Sequence, residues 1–164
     1  MAKIVTFGEL MLRLQPYNYE RFVQCDHVEF TFGGGEANVA VSLANFGLES
    51  TYVTKLPNTP LGEICLQKLR AQNVDTRFVA RGGERLGLNF YENGAAMRPS
   101  SVLYDRKYSA ISEALPEDFD FDGIFQDQAQ IDNYKSKDGT VIMPDAKPGD
   151  SIFRDLNENG KIDT

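Results

Sequence analysis

The 164-residue sequence has no tryptophan, one histidine and only two cysteines. Two cysteines are too few for the disulfide framework of a small secreted domain, and Cys25 and Cys65 lack the spacing of metal ligands. We therefore expect reduced thiols and no metal site. The sequence also lacks an apolar run of about 18 residues and a signal-like N-terminus, so we expect a cytoplasmic protein that makes no membrane contact.

Positive charge is scarce in the last third of the chain. Residues 1–112 carry 12 basic and 11 acidic side chains, whereas residues 113–164 carry 5 basic and 13 acidic ones, and the whole chain has a net charge of −7. Nucleic-acid binding needs a concentrated basic face, so this balance argues against a nucleic-acid partner. The stretch 113–134 contains no Lys or Arg, which indicates either a seam in the chain or a solvated acidic loop.

The first 112 residues contain the periodic apolar elements. Residues 3–9, 27–32, 50–55, 87–93 and 101–106 have the composition or alternation of strands, and residues 37–46 and 61–72 have apolar residues at helical spacing. Strands that alternate with helices predict a mostly parallel sheet covered by helices. The last two strands are separated by turn-forming residues, which predicts a hairpin with one apolar and one polar face.

A glycine triplet at 33–35 separates a predicted strand from the first predicted helix. Backbone N–H groups exposed at such a helix start can hold an anionic or hydroxyl-rich ligand. The same triplet is also typical of a tight strand-to-helix connection that binds nothing. The following helix is apolar on every side, so we expect it to be buried against the sheet and to end at Gly47.

Four motifs together resemble the PfkB or ribokinase family of sugar kinases, and most closely its 2-keto-3-deoxygluconate kinase branch. They are Phe7-Gly8-Glu9, Gly-Gly-Gly-Glu-Ala-Asn at 33–38, Leu-Pro-Asn-Thr-Pro-Leu-Gly at 56–62 and Arg-Pro-Ser-Ser-Val-Leu-Tyr-Asp-Arg at 98–106. The resemblance covers about residues 2–125. It implies an α/β fold, namely a truncated ribokinase-like (Rossmann-like) parallel sheet with a small β lid over the sugar. The resemblance also implies a homodimer contact through this lid.

The resemblance implies a substrate site but no catalytic residue within this chain. The positions that match those lining the sugar in the family are Gly34, Gly35, Asn38, Asn89, Tyr104 and Arg106. Arg106 suits the carboxylate of a sugar acid because a planar guanidinium can bind it bidentately, although a solvated strand-end arginine is an alternative. Asn89 departs from the Tyr that is more common in the family. Glu9 is interpreted as a structural acceptor.

The family also implies ATP and Mg²⁺, together with a Gly-Ala-Gly-Asp motif that supplies a catalytic base and an anion hole. That motif is absent from the sequence, and the similar segment 145–150 contains Pro148, which has no N–H to donate. We therefore predict an inactive fragment of a kinase for 2-keto-3-deoxygluconate or a related sugar acid, without residues for ATP or Mg²⁺. The alternatives are a non-catalytic sugar-binding or dimerising remnant and a chimeric product without function.

The last 42 residues have little periodicity and resemble another family. Gly-Ile-Phe-Gln at 123–126, Ile-Asp-Asn-Tyr at 131–134 and Pro-Asp-Ala-Lys-Pro-Gly-Asp at 144–150 are similar to an internal piece of SusC/RagA-type TonB-dependent outer-membrane transporters. We therefore expect a kinase part at residues 1–122 and a foreign, largely irregular tail at residues 123–164. One short helix is expected over residues 126–134.

Overall fold

A computed structural model describes residues 3–126, and the chain divides into two units, Met1–Asp120 and Phe121–Thr164. The first unit contains, in chain order, β1 (Lys3–Phe7), β2 (Met11–Pro16), β3 (Val28–Gly33), α1 (Gly35–Asn45), β4 (Glu49–Val53), β5 (Lys55–Leu56), α2 (Pro60–Arg70), β6 (Ala80–Arg81), β7 (Leu88–Glu92), β8 (Ser101–Asp105) and a 3₁₀ helix (Pro116–Asp118). In the second unit the described residues form α3 (Phe121–Gln126).

Parallel pairing and a covering helix form the base of the first unit. β1 and β4 pair in parallel, from Lys3 opposite Glu49 to Phe7 opposite Val53. β5 and β6 are also parallel, and an isolated parallel bridge joins Thr51 of β4 to Asp75. Helix α1 packs against both β1 and β4. This arrangement confirms the predicted α/β fold with parallel strands.

Four strands form a second sheet, which we call the lid sheet. Its order is β3-β2-β7-β8. β2 pairs antiparallel with β3 and parallel with β7, and β7 pairs antiparallel with β8. The antiparallel β7–β8 pair confirms the predicted hairpin, and its union with β2 and β3 confirms the small β lid.

The lid sheet has one apolar and one polar face, as the hairpin pattern predicts. Residues opposite each other in the register share a face, and the face alternates along each strand. By this rule the mainly apolar face carries Leu12, Leu14, Phe30, Phe32, Leu88, Phe90 and Leu103, and at the two ends of the hairpin it also carries Glu92, Ser101 and Asp105. The other face carries mainly polar and aromatic side chains, which are Arg13, Gln15, Glu29, Thr31, Asn89, Tyr91 and Tyr104. The polar face is therefore the side on which a polar ligand can be held.

Helix α1 ends as predicted but is buried on one side only. Gly47 has a φ of +79° and donates to the Ala44 carbonyl at 2.9 Å, which is a left-handed helix terminus that favours glycine. Ala40 is fully buried, but Val39 and Phe46 remain 50% and 80% exposed. The predicted burial of α1 against the sheet is therefore confirmed by its packing on β1 and β4, while part of its apolar surface remains exposed in the described part of the chain.

Helix α2 contributes buried side chains to the core. Its N-cap Thr59 accepts a hydrogen bond from the Gly62 amide at 3.3 Å, and Pro60 occupies the first turn, where its missing N–H costs nothing. Cys65 and Leu66 are buried in the core cluster. Burial raises the pKa of the Cys65 thiol to about 12. The helix confirms the prediction over 61–72 to within two residues at either end.

The segment beyond the first unit is described only as far as residue 126. Helix α3 begins at Phe121, five residues before the predicted start of a short helix at 126. The remainder of that predicted helix, and nearly all of the predicted irregular tail, lie outside the described residues. Among the helices that are described, none is long and apolar enough to cross a membrane.

Candidate functional site

A cleft of about 500 Å³ lies at the carboxyl end of β1. It is lined by Phe7, Gly8, Glu9, Arg106, Lys107, Ile111 and Ser112. Open α/β sheets bind their ligands outside the carboxyl ends of their strands, so the cleft lies where a ligand is expected. One residue of the predicted substrate site, Arg106, is part of its wall.

Glu9 and Arg106 form an ion pair within this cleft. The Oε2 atom of Glu9 accepts a hydrogen bond from the Nε–H of Arg106. The Glu9 side chain is 4% exposed, whereas that of Arg106 is 58% exposed. One edge of the guanidinium is thus bound to the protein while the group remains accessible to a ligand. Glu9 is an acceptor as expected, but the sequence did not indicate that its partner is Arg106.

Two glycines lie against Glu9, and the stricter contact is the one at Gly34, which meets backbone. A β-carbon on Gly34 would overlap the Glu9 carbonyl oxygen, and one on Gly87 would overlap Glu9 Oε1. Gly34 has a φ of −171°, an extended conformation that any residue adopts, so the close contact is what requires glycine. Around Gly35, in contrast, there is open space.

The charges near the cleft are two cations and two carboxylates. Arg106 and Lys107 line the cleft, and the Glu36 carboxylate lies against Gly8, behind β1. Burial raises the pKa of Tyr52 well above its usual range, and the nearby Glu36 and Glu9 carboxylates raise it further. Tyr52 is therefore a neutral phenol. Arg106 and Lys107 in the cleft wall are exposed cations that favour an anionic ligand, and the Glu36 carboxylate at Gly8 is exposed as well.

Arg85 fixes the backbone on both sides of Arg106. It donates through Nη1 to the Lys107 carbonyl at 2.6 Å and through Nη2 to the Asp105 carbonyl at 3.2 Å. It also pairs with the Asp105 carboxylate at 2.9 Å. The Ser109 amide donates to the Arg106 carbonyl at 3.2 Å. The turn that carries Arg106 is therefore held independently of the Arg106 side chain.

Two other predicted residues lie on the polar face of the lid sheet. Asn89 is directly opposite Tyr104, and Arg13 is directly opposite Asn89 on the other side. Arg106 comes two residues after Tyr104, a spacing that returns a side chain to the same face. The Arg13 guanidinium stacks on the Tyr91 ring, 4.0 Å from its centre. Arg13 was not among the predicted site residues, although its position between two leucines of an alternating strand indicated this face.

Unpaired polar atoms mark the same part of the lid sheet. The Nε of Arg13 and the Oδ1 of Asn89 are buried, and neither has a hydrogen-bond partner among residues 3–126. One is a donor and the other an acceptor on adjacent strands. A buried polar atom without a partner costs free energy, so this part of the sheet is suited to a group that both donates and accepts, such as a hydroxyl.

The six predicted substrate residues do not all meet in one contact set. Arg106 lines the cleft and is linked to Gly34 through Glu9. Asn89 and Tyr104 form a second set on the lid sheet, outside the lining of the cleft. Gly35 and Asn38 lie in the exposed first turn of α1, where the backbone N–H of Asn38 donates to the Gly34 carbonyl at 2.9 Å. Their roles toward a substrate remain predictions.

Comparison with known proteins assigns the family. The sequence matches the pfkB family of carbohydrate kinases over residues 1–145. The chain belongs to this family. The match continues past residue 125, where the resemblance was expected to end, and therefore includes part of the acidic tail.

Related pfkB proteins share both the sequence and the fold. A 2-dehydro-3-deoxygalactonokinase of Haloferax volcanii is 32% identical over 98% of this chain and 54% of its own length. The crystal structure of the 2-dehydro-3-deoxygluconokinase of Thermotoga maritima is 53% identical, with a TM-score of 0.75 over 77% of this chain and 39% of that one. An uncharacterised sugar kinase of Pyrococcus horikoshii, in complex with ATP, is 28% identical, with a TM-score of 0.65 over 73% of this chain and 39% of that one.

These matches bear on how the pfkB chain is organised. The chain spans about half the length of the Haloferax kinase, and the match includes nearly all residues of this chain. The comparisons thus give no support to a SusC/RagA-type transporter fragment at residues 123–164. The predicted boundary at residue 122 remains a prediction.

Proposed function

We propose that this chain provides the sugar-binding side of a pfkB kinase that phosphorylates 2-keto-3-deoxygluconate or a related sugar acid with ATP. The observation that carries the proposal is the exposed guanidinium of Arg106, held by buried Glu9 beside Lys107 at the carboxyl end of β1. A keto-deoxy sugar acid has a carboxylate that a guanidinium binds well. Two relatives named for 2-dehydro-3-deoxy sugar acids support this choice of substrate.

The other predicted residues would bind the hydroxyls of the same molecule. Asn89 and Tyr104 present an amide and a phenol next to each other on the polar face of the lid sheet. Gly34, Gly35 and the side-chain amide of Asn38 would line the sugar from the start of α1, where the two glycines allow close approach. In this arrangement Arg106 selects for an acid and the lid residues select among hydroxyl patterns.

We include ATP and Mg²⁺ in the proposal because the pfkB family implies them. ATP would supply the phosphoryl group, and a pfkB relative has been solved with ATP bound. Within residues 3–126 no group of three or more His, Cys, Asp or Glu side chains is arranged to hold a metal ion. Mg²⁺ in nucleotide sites is held mainly by phosphates and by one or two carboxylates, so the part proposed here for the described residues is only to bind and orient the sugar acid.

We also propose that the 164-residue polypeptide on its own binds the sugar acid without transferring phosphate. Phosphoryl transfer depends mainly on positioning and charge stabilisation at the γ-phosphate. The Gly-Ala-Gly-Asp motif that the family uses for this purpose does not occur in the sequence. This proposal therefore coincides with the alternative of a non-catalytic sugar-binding remnant that the sequence left open.

The lid sheet supports a homodimer as part of this proposal. On its apolar face Phe30 is 53% exposed and Leu103 is 65% exposed. The two residues lie on the outer strands in one row with the partly buried Leu14 and Phe90, and exposed apolar side chains of this kind are typical of a protein–protein contact. A second copy of the chain, pairing through the same face, would cover both residues. Sedimentation velocity of the wild type and of Leu103→Lys would test this contact.

The proposal is tested by titration calorimetry on the full 164-residue chain with 2-keto-3-deoxygluconate. We expect a dissociation constant in the millimolar range, equivalent to about −4 kcal/mol, and loss of binding in Arg106→Gln. Arg21→Gln, an exposed arginine in the loop between β2 and β3, is the matched control and should bind as the wild type does. No heat change with about 10 mM ligand, at a sensitivity that detects millimolar binding, would contradict the proposal.

A coupled assay of ADP release with the same ligand tests the proposed absence of phosphoryl transfer. The isolated chain should show no turnover above background. Turnover that disappears in Arg106→Gln would show that the 164 residues contain a complete catalytic site, and the proposed division of labour would be wrong.

A further inference from the structure

We infer that Glu9 is the positioning residue of this site: its buried carboxylate holds the Nε edge of Arg106 and thereby directs the two terminal nitrogens toward the carboxylate of a sugar acid. The inference rests on the proposed function and deepens it. Nothing in the sequence pattern alone separates this role from that of an ordinary buried acceptor. The contacts around Glu9 do.

The first observation is the poor solvation of Glu9. A buried carboxylate is costly unless it is paired and fully hydrogen-bonded. Glu9 is only half satisfied, because Oε2 bonds to Arg106 while Oε1 is buried with no partner among the described residues. An apolar side chain of similar size would fill this position at lower cost. The retention of a charge here therefore indicates a task other than packing.

The second observation is the space made for Glu9. A β-carbon at Gly87 would overlap Oε1, and a β-carbon at Gly34 would overlap the carbonyl oxygen of Glu9. The Leu12 amide also donates to the Gly87 carbonyl at 2.9 Å, which fixes Gly87 against β2. Glu9 is therefore clamped between two backbone segments, and its carboxylate has a defined position from which to hold Arg106.

The third observation is the geometry that remains for Arg106. A guanidinium has five N–H donors, and the bond to Glu9 uses the one on Nε. The four donors on Nη1 and Nη2 remain, on a side chain that is 58% exposed. A free arginine samples many rotamers, so fixing one edge reduces the entropy lost when a ligand binds to the other. The Glu9 bond thus prepares a fork that matches a carboxylate.

The fourth observation separates this role from that of holding the chain together. Arg85 already binds the carbonyl oxygens of Asp105 and Lys107 on either side of Arg106. The backbone of the turn therefore does not depend on Glu9. Removing the Glu9 carboxylate should release the Arg106 side chain while the turn remains in place, and a purely structural ion pair would not give that result.

Two variants of Glu9 test the inference in the full chain. Glu9→Gln keeps an oxygen that can accept from Arg106 Nε–H, whereas Glu9→Met keeps the approximate size and removes the acceptor. We expect Glu9→Met to lower the affinity for 2-keto-3-deoxygluconate about tenfold and Glu9→Gln to stay within about threefold of the wild type. The methyl ester of the same acid, which has no carboxylate, should bind all three proteins equally. Glu63→Gln, whose partner is Arg81 outside the cleft, is the control.

NMR of the Arg106 Nε–H group provides a readout that needs no ligand. In the wild type this proton should exchange slowly with water, in Glu9→Gln more quickly, and in Glu9→Met as fast as that of exposed Arg21. The Ser109 amide, which reports on the turn, should exchange equally in all three. If Glu9→Met does not fold, the wild type and Glu9→Gln still decide the matter, because fast exchange at Arg106 Nε–H in the wild type overturns the inference.

The outcomes separate the inference from the function on which it rests. If the wild type binds neither the acid nor its ester, the proposed function is wrong, and the positioning role is overturned with it. If the wild type and Glu9→Met bind the acid equally while Arg106→Gln does not, the proposed function stands and the inference alone is wrong. Equal losses for the acid and the ester would assign Glu9 to the general structure of the cleft and also overturn it.

Discussion

Gly34 and Glu9 are in contact through their backbones, and the carbonyl oxygen of Glu9 occupies the space in which a β-carbon of residue 34 would lie. The neighbouring Gly35 begins α1 with no other atom in the corresponding space. Of two consecutive glycines in one motif, the fold therefore requires only Gly34. Gly34 lets the start of α1 approach the cleft, whereas Gly35 is free to serve a ligand.

This difference predicts opposite effects of two alanine substitutions. Gly34→Ala should lower the free energy of unfolding by about 2 kcal/mol or more, because the backbone at Glu9 must move to accept the methyl group. Gly35→Ala should leave stability unchanged or raise it by up to about 1 kcal/mol, since alanine is the better helix former. Urea unfolding of both variants provides the comparison. Equal stabilities would show that the contact between Gly34 and Glu9 relaxes at no cost.

A second prediction concerns the arginine that holds the turn at the cleft. Arg85→Gln should lower the free energy of unfolding by about 1 kcal/mol, because most of its contacts are partly exposed. It should also speed hydrogen exchange at the Ser109 amide and weaken sugar-acid binding. Arg81→Gln removes a similar arginine, bound to the Pro57 carbonyl at 3.1 Å, and should affect stability alone. Unchanged exchange at Ser109 in Arg85→Gln would contradict the clamp.

Local pattern predicted most strands and the two longer helices of this fold, but it did not predict β2, β6, the 3₁₀ helix or α3. The alternating residues of β7 and β8 determine both the hairpin and its polar face, and the glycine at 47 determines where α1 ends. Helical spacing, by contrast, reports only that a face is apolar. It could not show that Val39 and Phe46 remain exposed in the described part of the chain, because burial depends on which elements pack against α1.

Individual residues of the candidate site were predicted from their motifs, but the contacts between these residues were not predicted. Arg106 was expected from its motif, but its partner Glu9 lies 97 residues away in the sequence. No periodicity connects two residues at that distance, since the pairing follows from the close approach of β8 to the end of β1. Arg13 was missed for a related reason: an arginine between leucines is usually a solvated side chain, and only the register places it beside Asn89.

A third prediction follows from the unpaired amide of Asn89. Its Oδ1 is buried without a partner among the described residues, so replacing it with an apolar group of similar size removes a cost rather than a bond. Asn89→Leu should therefore unfold at the same or a slightly higher urea concentration, while its affinity for the sugar acid falls. Asn93→Leu is the control, because Asn93 donates to the Asn18 carbonyl at 2.8 Å and its loss should be destabilising. A loss of stability in Asn89→Leu as large as that in Asn93→Leu would contradict the unpaired state.

A fourth prediction uses the two cysteines. Cys65 is fully buried, and burial raises its pKa to about 12, so the reactive thiolate is almost absent at pH 8. Cys25 is only partly buried, with its thiol 3.5 Å from the Phe22 carbonyl. Iodoacetamide at pH 8 should therefore alkylate Cys25 in the native protein and Cys65 only after unfolding. Mass spectrometry of tryptic peptides identifies the modified residue, and native labelling of both at one rate would show that the core around α2 opens readily.

The last prediction concerns the acid side of the pH profile, at the 3₁₀ helix. Asp118 accepts a hydrogen bond from Lys55 Nζ at 2.6 Å and another from the Leu115 amide at 2.8 Å. The Lys55 hydrogen bond, followed by that of Leu115, lowers the pKa of Asp118 below its ordinary value. A lowered pKa in the folded state means that the contribution to stability is present above the unfolded pKa and is lost as the pH falls through the folded one.

The turn at 115–119 should accordingly be unaffected between pH 7 and pH 5 and should loosen below about pH 4. Amide exchange at Leu115 and carboxyl NMR of Asp118 would follow the two events, and both should share one midpoint. Asp118→Asn retains an acceptor for the Leu115 amide but has no charge to lose, so its exchange should be independent of protonation in this range once intrinsic rates are corrected. An Asp118 midpoint above about 4 would show that the bond to Lys55 does not persist in solution, and the turn would then be held by its backbone alone.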